Sequence, residues 1–433
     1  MEIYLKNFGF HKKNKCLPIK FAEKHYLCKT KKQSMKELYV KNFGPVTEAR
    51  IVLREINLFI GEQSVGKSTL AKLITILTDH ISLCNLIHER YSEWEKQLKT
   101  YNLDIYGEEK YQIIYDVEEN EIKFRMTISN KKLNIDSLKD DDEQGKIDLM
   151  FKLFQSKPVF HQEKILETIK EIGVEKGRER LFTEWMNNSI YIPAERIIYS
   201  VATKLLPALS LVKSAVPQNL LRFMIDLENA KAIYPQYEIP MLGITYKNEN
   251  AEDVFIINEN DKKYDLRAAS SGIQSVIPLL LVLEYAVKEK EYASIVVEEP
   301  ECNLFPEKQV ELLKHLIRVV KNENRTLTIT THSPYLLSAM NNYLYAGALV
   351  SEYGEKIQAA IDKVLPPDMQ LKPNDCSVYS LGKNINGDDT YCKSLLDEET
   401  GMIDYNSLDG ISESMSEEFS LLEDAFIQMN KKQ

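Results

Sequence analysis

Cysteine is scarce in this 433-residue chain, and the six present (Cys16, Cys28, Cys84, Cys302, Cys376 and Cys392) are so dispersed that no Cys-x-x-Cys pair occurs. Disulfide frameworks and zinc sites use closely spaced cysteines, so neither is expected and reduced thiols are the default. No apolar run approaches the length of a bilayer span. Met1 to Lys20 is broken by lysines and Pro18, which removes the compact apolar core of a signal peptide. A cytoplasmic protein with no membrane partner is expected. Positive charge is in deficit, 55 Lys and Arg against 65 Asp and Glu, a net charge of −10. That weighs against a general nucleic-acid coat and leaves room for a local basic groove. No heptad pattern is sustained, which excludes a long coiled-coil arm.

What is present is concentrated in a few stretches, and the strongest is residues 55–74. Ile56 to Ile60 is a short apolar run that reads as a buried strand. Gly61-Glu62-Gln63-Ser64-Val65-Gly66 then forms a loop, and Lys67-Ser68-Thr69-Leu70 opens a helix expected to end near Thr78. This is G-x-x-x-x-G-K-[ST] in the strand–loop–helix setting its chemistry needs. Glycines let backbone N–H groups turn inward around a polyphosphate, and the positive end of the helix faces the same anion. Gly61, Gln63, Ser64, Gly66, Lys67, Ser68 and Thr69 are therefore candidate ATP-binding residues. Lys67 can reach the β- and γ-phosphates, and the Ser68 hydroxyl can ligate Mg²⁺.

Around that loop the chain divides by pattern. Residues 1–34 form a basic extension with nine lysines and two glutamates, and Glu2 to Gly9 nearly repeats Glu37 to Gly44. Residues 37–60 alternate around Gly44-Pro45 and predict two or three strands, a sheet edge leading into the P-loop strand. Residues 80–187 read as an insertion. It has helical periodicity from Cys84 to Lys99, a hairpin of Tyr111–Val117 and Ile122–Ile128, a solvated charged loop at 139–146, and helices near 146–156 and 162–187. An α/β ATPase core is expected over 35–79 and 188–433, with a helix over about 203–232. Strands are expected at Tyr237–Tyr246, Asp253–Ile257 and Lys263–Arg267.

The second half carries the acids. Ser270-Ser271-Gly272-Ile273-Gln274 precedes an apolar helix, Val276 to Ala286, and small polar residues at a helix start make an anion site. Ile295-Val296-Val297-Glu298-Glu299-Pro300 is a buried strand ending in two carboxylates. In P-loop enzymes the strand beside the P-loop strand delivers an acid to Mg²⁺, and often a second to the attacking water. Glu298 is assigned to the metal and Glu299 to the catalytic base. A second apolar strand, Thr326 to Thr331, delivers His332 to a loop where it can reach the γ-phosphate or the water. Catalytic roles are thus expected for Glu299, His332 and Lys67.

P-loop, Ser-Ser-Gly-Ile-Gln, Glu-Glu-Pro-Glu and Thr-His-Ser-Pro occur in the order seen in ABC-type ATPase heads. The chain resembles the branch holding the OLD-family and RecF/SMC-like ATPases, as do the Tyr191-Ile192-Pro193-Ala194-Glu195-Arg196 turn and Asn341-Asn342. The resemblance covers about residues 36–433. It implies a P-loop NTPase with a mixed sheet core, ATP and Mg²⁺ as cofactors, ATP hydrolysis, and a head-to-head homodimer or higher homo-oligomer. In that dimer Ser270, Ser271 and Gly272 touch the γ-phosphate held by the other copy. Two departures stand out: the family's Leu-Ser-Gly-Gly-Gln is reduced here, and Glu298 stands where aspartate is common. OLD-type nucleases append a Toprim domain; Leu349 to Gly354 is only a faint echo of it, and no Asp-x-Asp pair follows. Ser377 to Leu381 is expected to complete the sheet, and Ile403 to Phe426 to end in an acidic helix. Stand-alone ATPases of this look resemble subunits of bacterial anti-phage systems such as PARIS and Septu, which control a separate effector, a nuclease or toxin. The alternatives are a RecF/SMC-type ATPase bound to DNA and a non-hydrolysing nucleotide sensor.

Overall fold

The computed structural model describes residues 35–404, apart from 108–109, 120–121, 137, 140–141, 156–188, 200–216, 251, 289–291, 322–324, 383–389 and 398–399, together with residue 420. The basic extension, the helix near 162–187, the first half of the helix near 203–232, part of the charged loop and nearly all of the acidic C-terminal helix lie outside the described residues.

The chain opens with strands β1 (Met35–Phe43), β2 (Val46–Leu53) and β3 (Ile56–Gly61), then helices α1 (Lys67–Thr78), α2 (His80–Glu89) and α3 (Tyr91–Thr100). β4 (Gln112–Glu119), β5 (Ile122–Ser129), β6 (Lys132–Ile135), α4 (Glu143–Gln155) and β7 (Ser189–Ile192) follow. Next come α5 (Gln218–Ile233), β8 (Gln236–Ile239), β9 (Ile244–Glu249), β10 (Glu252–Ile257), β11 (Lys262–Asp265) and α6 (Ser271–Lys288). The last part holds β12 (Ser294–Glu298), α7 (Pro306–Lys321), β13 (Thr326–Thr331), α8 (Pro334–Tyr353), α9 (Glu355–Ile361), β14 (Cys376–Leu381) and β15 (Cys392–Ser394).

These strands form three sheets. The central one has six strands in the order β15-β14-β3-β13-β12-β7, parallel except for β15. Every residue of β3 and of β12 is buried, which is why both read as mainly apolar runs despite Asn57, Ser294 and Glu298. Ile56, Leu58 and Ile60 face one hydrophobic core with α6, while Phe59 faces a second core with Leu70, Leu73 and Trp94. The sheet therefore separates two packed layers, and the P-loop strand is clamped between them. This is the mixed α/β architecture expected of a P-loop NTPase.

Three expectations are corrected. β1 and β2 do not form an edge of the P-loop sheet; they belong to a separate antiparallel sheet, order β2-β1-β4-β5-β6. The hairpin read as part of an insertion is in that same sheet, with β4 pairing β1 from Met35↔Glu118 to Lys41↔Gln112. Residues 112–135 and 35–53 are one unit because each supplies the other's hydrogen-bonding edge. In addition, the acid-bearing strand β12 does not lie beside β3, because β13 is hydrogen-bonded between them.

α6 begins at Ser271, several residues before the expected Val276. By length and composition it is apolar enough to cross a membrane, with a mean hydropathy of 1.3 over 18 residues, yet 72% of it is buried. Its apolar residues lie in the core against β3, β12 and β13. Leu349 to Tyr353, the faint Toprim echo, lies within helix α8.

Candidate active site

The P-loop leaves β3 through a backbone only glycine adopts without strain. Gly61 has φ +147°, and a Cβ there would lie 2.4 Å from the Leu381 carbonyl oxygen. Ser64 and Gly66 also have positive φ, and Gly66 leads α1 with no side chain capping the helix. The first N–H groups of α1 are thus left for an anion. The Tyr391 hydroxyl, far along the chain, lies between Pro45 O at 2.6 Å and Val65 O, which share its one proton. It straps the back of the loop from outside.

Lys67 is buried, and its Nζ donates to Gly61 O at 2.9 Å and Glu62 O at 2.6 Å. Burial holds its pKa down to about 8, against the pull of Glu299, Glu301, Glu298 and Glu62. The ammonium is held by neutral carbonyls, and the carboxylates of Glu299, Glu301, Glu298 and Glu62 act on it electrostatically. Gln63, Ser64 and Ser68 are exposed around it and Thr69 is buried.

Glu298 ends β12 with 3% exposure. Burial pushes its carboxyl up, opposed by hydrogen bonds from the Tyr191 and Ser68 hydroxyls. Its Oε1 is buried with no hydrogen-bond partner. A half-satisfied buried carboxylate beside an exposed serine hydroxyl fits Mg²⁺, which takes one or two protein oxygens and completes its octahedron with water and phosphate. Among the described residues no group of three His, Cys, Asp or Glu side chains is arranged to hold a metal, and Mg²⁺ does not need one.

Glu299 has φ +41°, a left-handed backbone that is strained for a residue with a side chain. Its N–H donates to Thr330 O at 2.9 Å. The turn sends its carboxylate toward the end of β13, where Oε1 lies 3.3 Å from His332 Nε2 and Oε2 accepts from Cys302 Sγ at 3.1 Å. The His332 contact, then the Cys302 thiol, draw its pKa down to about 2 against the opposing effect of burial. Glu301 pins the histidine loop: its Oε1 accepts from Thr331 Oγ1 at 2.6 Å and from His332 N at 2.8 Å.

The structure thus brings Lys67, Ser68, Glu298, Glu299 and His332 to the carboxyl ends of β3, β12 and β13. Parallel α/β sheets place ligands there. Ser270 and Ser271 stand apart: both are exposed, and Gly272 packs against the Asn303 carbonyl, where a Cβ would lie at 2.6 Å. Tyr191, Glu301, Cys302 and Arg196 were not picked out as site residues from sequence. Tyr191, Arg196 and Glu301 sit in two of the stretches that carry the family resemblance and Cys302 directly follows one of them, and nothing short of the folded contacts assigns them.

Glu298 is expected to contribute to the acid limb of a rate profile, because burial raises its pKa while the His332 and Cys302 contacts draw that of Glu299 down. Burial makes the folded chain hold the Glu298 proton more tightly than the unfolded chain. This group's contribution to stability therefore declines as pH rises through its raised value, and a cation favours the ionised form. Raising Mg²⁺ should then move the limb to lower pH in rate–pH profiles measured at two metal concentrations. A limb indifferent to Mg²⁺ would take Glu298 out of the metal site.

The sequence matches the AAA ATPase domain family model over residues 35–203 and 227–337. No curated protein matches it. Among solved structures, the SMC head domain from Thermotoga maritima is similar at 13% identity and TM-score 0.33, covering 70% of this chain and 91% of that one. An SmcHead bound to the C-winged helix domain of ScpA is 12% identical with TM-score 0.35, covering 70% of this chain and 91% of that one. The Pyrococcus furiosus Smc head domain with an extended coiled coil, bound to the C-terminal domain of ScpA, is 10% identical with TM-score 0.33 over 71% and 92% of the two chains.

Proposed function

The chain belongs to the AAA ATPase domain family, and from that premise we propose that it is a cytoplasmic, Mg²⁺-dependent ATP hydrolase whose working unit is two copies. In this reading the 61–66 loop and the α1 N-terminus bind the phosphates, and Lys67 leaves its loop carbonyls to neutralise the β- and γ-oxygens. Ser68 and Glu298 would hold Mg²⁺, which when bound would supply further neutralisation of phosphate charge. Glu299 orients the attacking water, with His332 fixing the carboxylate. Ser270, Ser271 and Gly272 of the second copy close over the γ-phosphate. The observation that carries the proposal is the Glu299–His332 pair at the ends of β12 and β13, with Lys67 among the same acids.

We further assign the ATPase to control of a separate effector protein, a nuclease or toxin of bacterial antiviral defence. The other reading is a DNA-bound ATPase of the RecF/SMC kind. Charge pairing on one sheet face weighs against DNA binding there. On the outward face of the antiparallel sheet of β1, β2, β4, β5 and β6, four bases are paired with acids: Lys41–Glu48 at 3.3 Å, Arg50–Glu37 at 3.4 Å, Lys123–Glu118 at 3.1 Å and Arg125–Asp116 at 2.6 Å. Duplex binding draws on cations free to displace counterions. DNA-stimulated hydrolysis with a steep salt dependence would reverse this preference.

Complementation tests the two-copy site. Lys67→Ala and Ser271→Arg proteins should each be inactive. Mixed in equal amounts they should regain about a quarter of wild-type turnover, because half the random dimers hold one intact composite site. No recovery on mixing, with mixed dimers shown to form, would place the whole site within one copy.

A further inference from the structure

Arg196 is wholly buried, and its five N–H groups are all directed at backbone carbonyls. Nε donates to Ser275 O at 3.3 Å, in the first turns of α6. Nη1 donates to Pro193 O at 3.0 Å and Glu298 O at 2.8 Å. Nη2 donates to Glu299 O at 2.8 Å and Pro300 O at 3.4 Å. Three separate segments meet on one planar cation: its own turn, the helix that presents Ser270 to Gly272, and the backbone of the two acids. None of these bonds is to a carboxylate, so the guanidinium acts here as a rigid fork rather than as an ion-pair partner.

The position of the fork matters because of the Glu299 backbone. A glutamate in the left-handed region is strained and persists only when its surroundings hold it. The Glu299 N–H is held by Thr330 O and its C=O by Arg196 Nη2. Releasing the carbonyl side lets the peptide relax and swings the carboxylate away from His332. The same fork grips α6 through Ser275 O, so a shift of that helix moves the acid backbone with it.

We propose that Arg196 is a positioning residue that holds the Glu299 carboxylate in its hydrolytic orientation and couples it rigidly to the helix bearing Ser270, Ser271 and Gly272. This deepens the ATPase reading and depends on it. Movement of that helix on meeting a nucleotide would thereby be reported to the acid of the same chain.

The test uses Arg196→Lys, which keeps the charge but presents its donors from a single nitrogen and cannot span three segments. Turnover per bound nucleotide should fall about tenfold to a hundredfold, with the ATP dissociation constant within about twofold of wild type, as expected for a misplaced catalytic group. In a Glu299→Gln background the same substitution should cost nothing more, because the group it positions is already gone. Additive losses in the double variant, or unchanged turnover in Arg196→Lys, would overturn the proposal. An inactive wild type would instead remove the ATPase reading beneath it. Should Arg196→Lys not fold, the ATP-bound structure of Glu299→Gln protein decides. Arg196 should still bond both Ser275 O and the carbonyl at 299, and the loss of either bond on ATP binding would refute the coupling.

Discussion

Glu299→Gln should lower ATP turnover by about a hundredfold or more, which is about 2.7 kcal/mol or more of transition-state stabilisation, while ATP remains bound. Lys67, the P-loop and the Ser68–Glu298 pair are untouched by the change, so ground-state binding survives. Glutamine keeps the shape of the side chain but removes the charge that His332 faces at 3.3 Å and that Cys302 donates to at 3.1 Å. The His332 contact draws the Glu299 pKa down to about 2, which favours the ionised carboxylate. Its contribution is therefore expected to lie in orienting water and in charge, rather than in taking a proton fully. Two measurements check this: steady-state phosphate release, and size-exclusion chromatography with ATP, where the variant should accumulate as the nucleotide-bound assembly. Unchanged hydrolysis would strip Glu299 of its role.

Lys67→Ala should abolish tight ATP binding. Truncating one partner of a buried charge contact costs on the order of 2–5 kcal/mol, a loss of about thirtyfold to several thousandfold in affinity. Equilibrium dialysis or calorimetry reads this directly. A linked proton effect adds a sharper check. The Lys67 pKa is held near 8 in the nucleotide-free chain, and a bound polyphosphate raises it. Above about pH 8, ATP binding by the wild type should therefore take up a proton, seen as a binding heat that varies with the ionisation enthalpy of the buffer. The sign for stability follows the same way. Between about pH 8 and the ordinary lysine value of 10.5 the unfolded chain holds more protons on this lysine than the folded chain does, so nucleotide-free stability gains from rising pH in that window. Urea unfolding at both ends of the window should show a gain for the wild type that Lys67→Ala lacks. Equal heats in all buffers would mean the lysine is already fully charged before ATP arrives.

Much of the machinery was legible before the fold. The helix from Lys67 to Thr78, the strands at 56–61, 294–298 and 326–331, and the hairpin near 112–129 lie where the patterns put them. Buried parallel strands are apolar throughout and loops at their ends carry polar residues, so a strand ending in Glu298-Glu299 or in Thr331-His332 announces its own polarity. What pattern could not convey was adjacency. Strand order depends on which edges are free to pair, and that is how β13 came to lie between β3 and β12 and how β4 came to pair with β1. Arg196 illustrates the same limit. Its residue type and its turn were visible, but the five carbonyls it binds come from sequence positions 193, 275, 298, 299 and 300.

By itself the sequence determined the phosphate loop, the acid pair, the histidine and their order along the chain, because each depends on local backbone geometry and short-range periodicity. The tertiary structure alone decided which of them meet. It turned Glu299 toward His332 through a left-handed residue, left one oxygen of Glu298 unpartnered beside Ser68, and buried Lys67 among carboxylates. Those outcomes depend on long-range hydrogen bonds and on desolvation, which act between segments far apart in the chain and have no local signature.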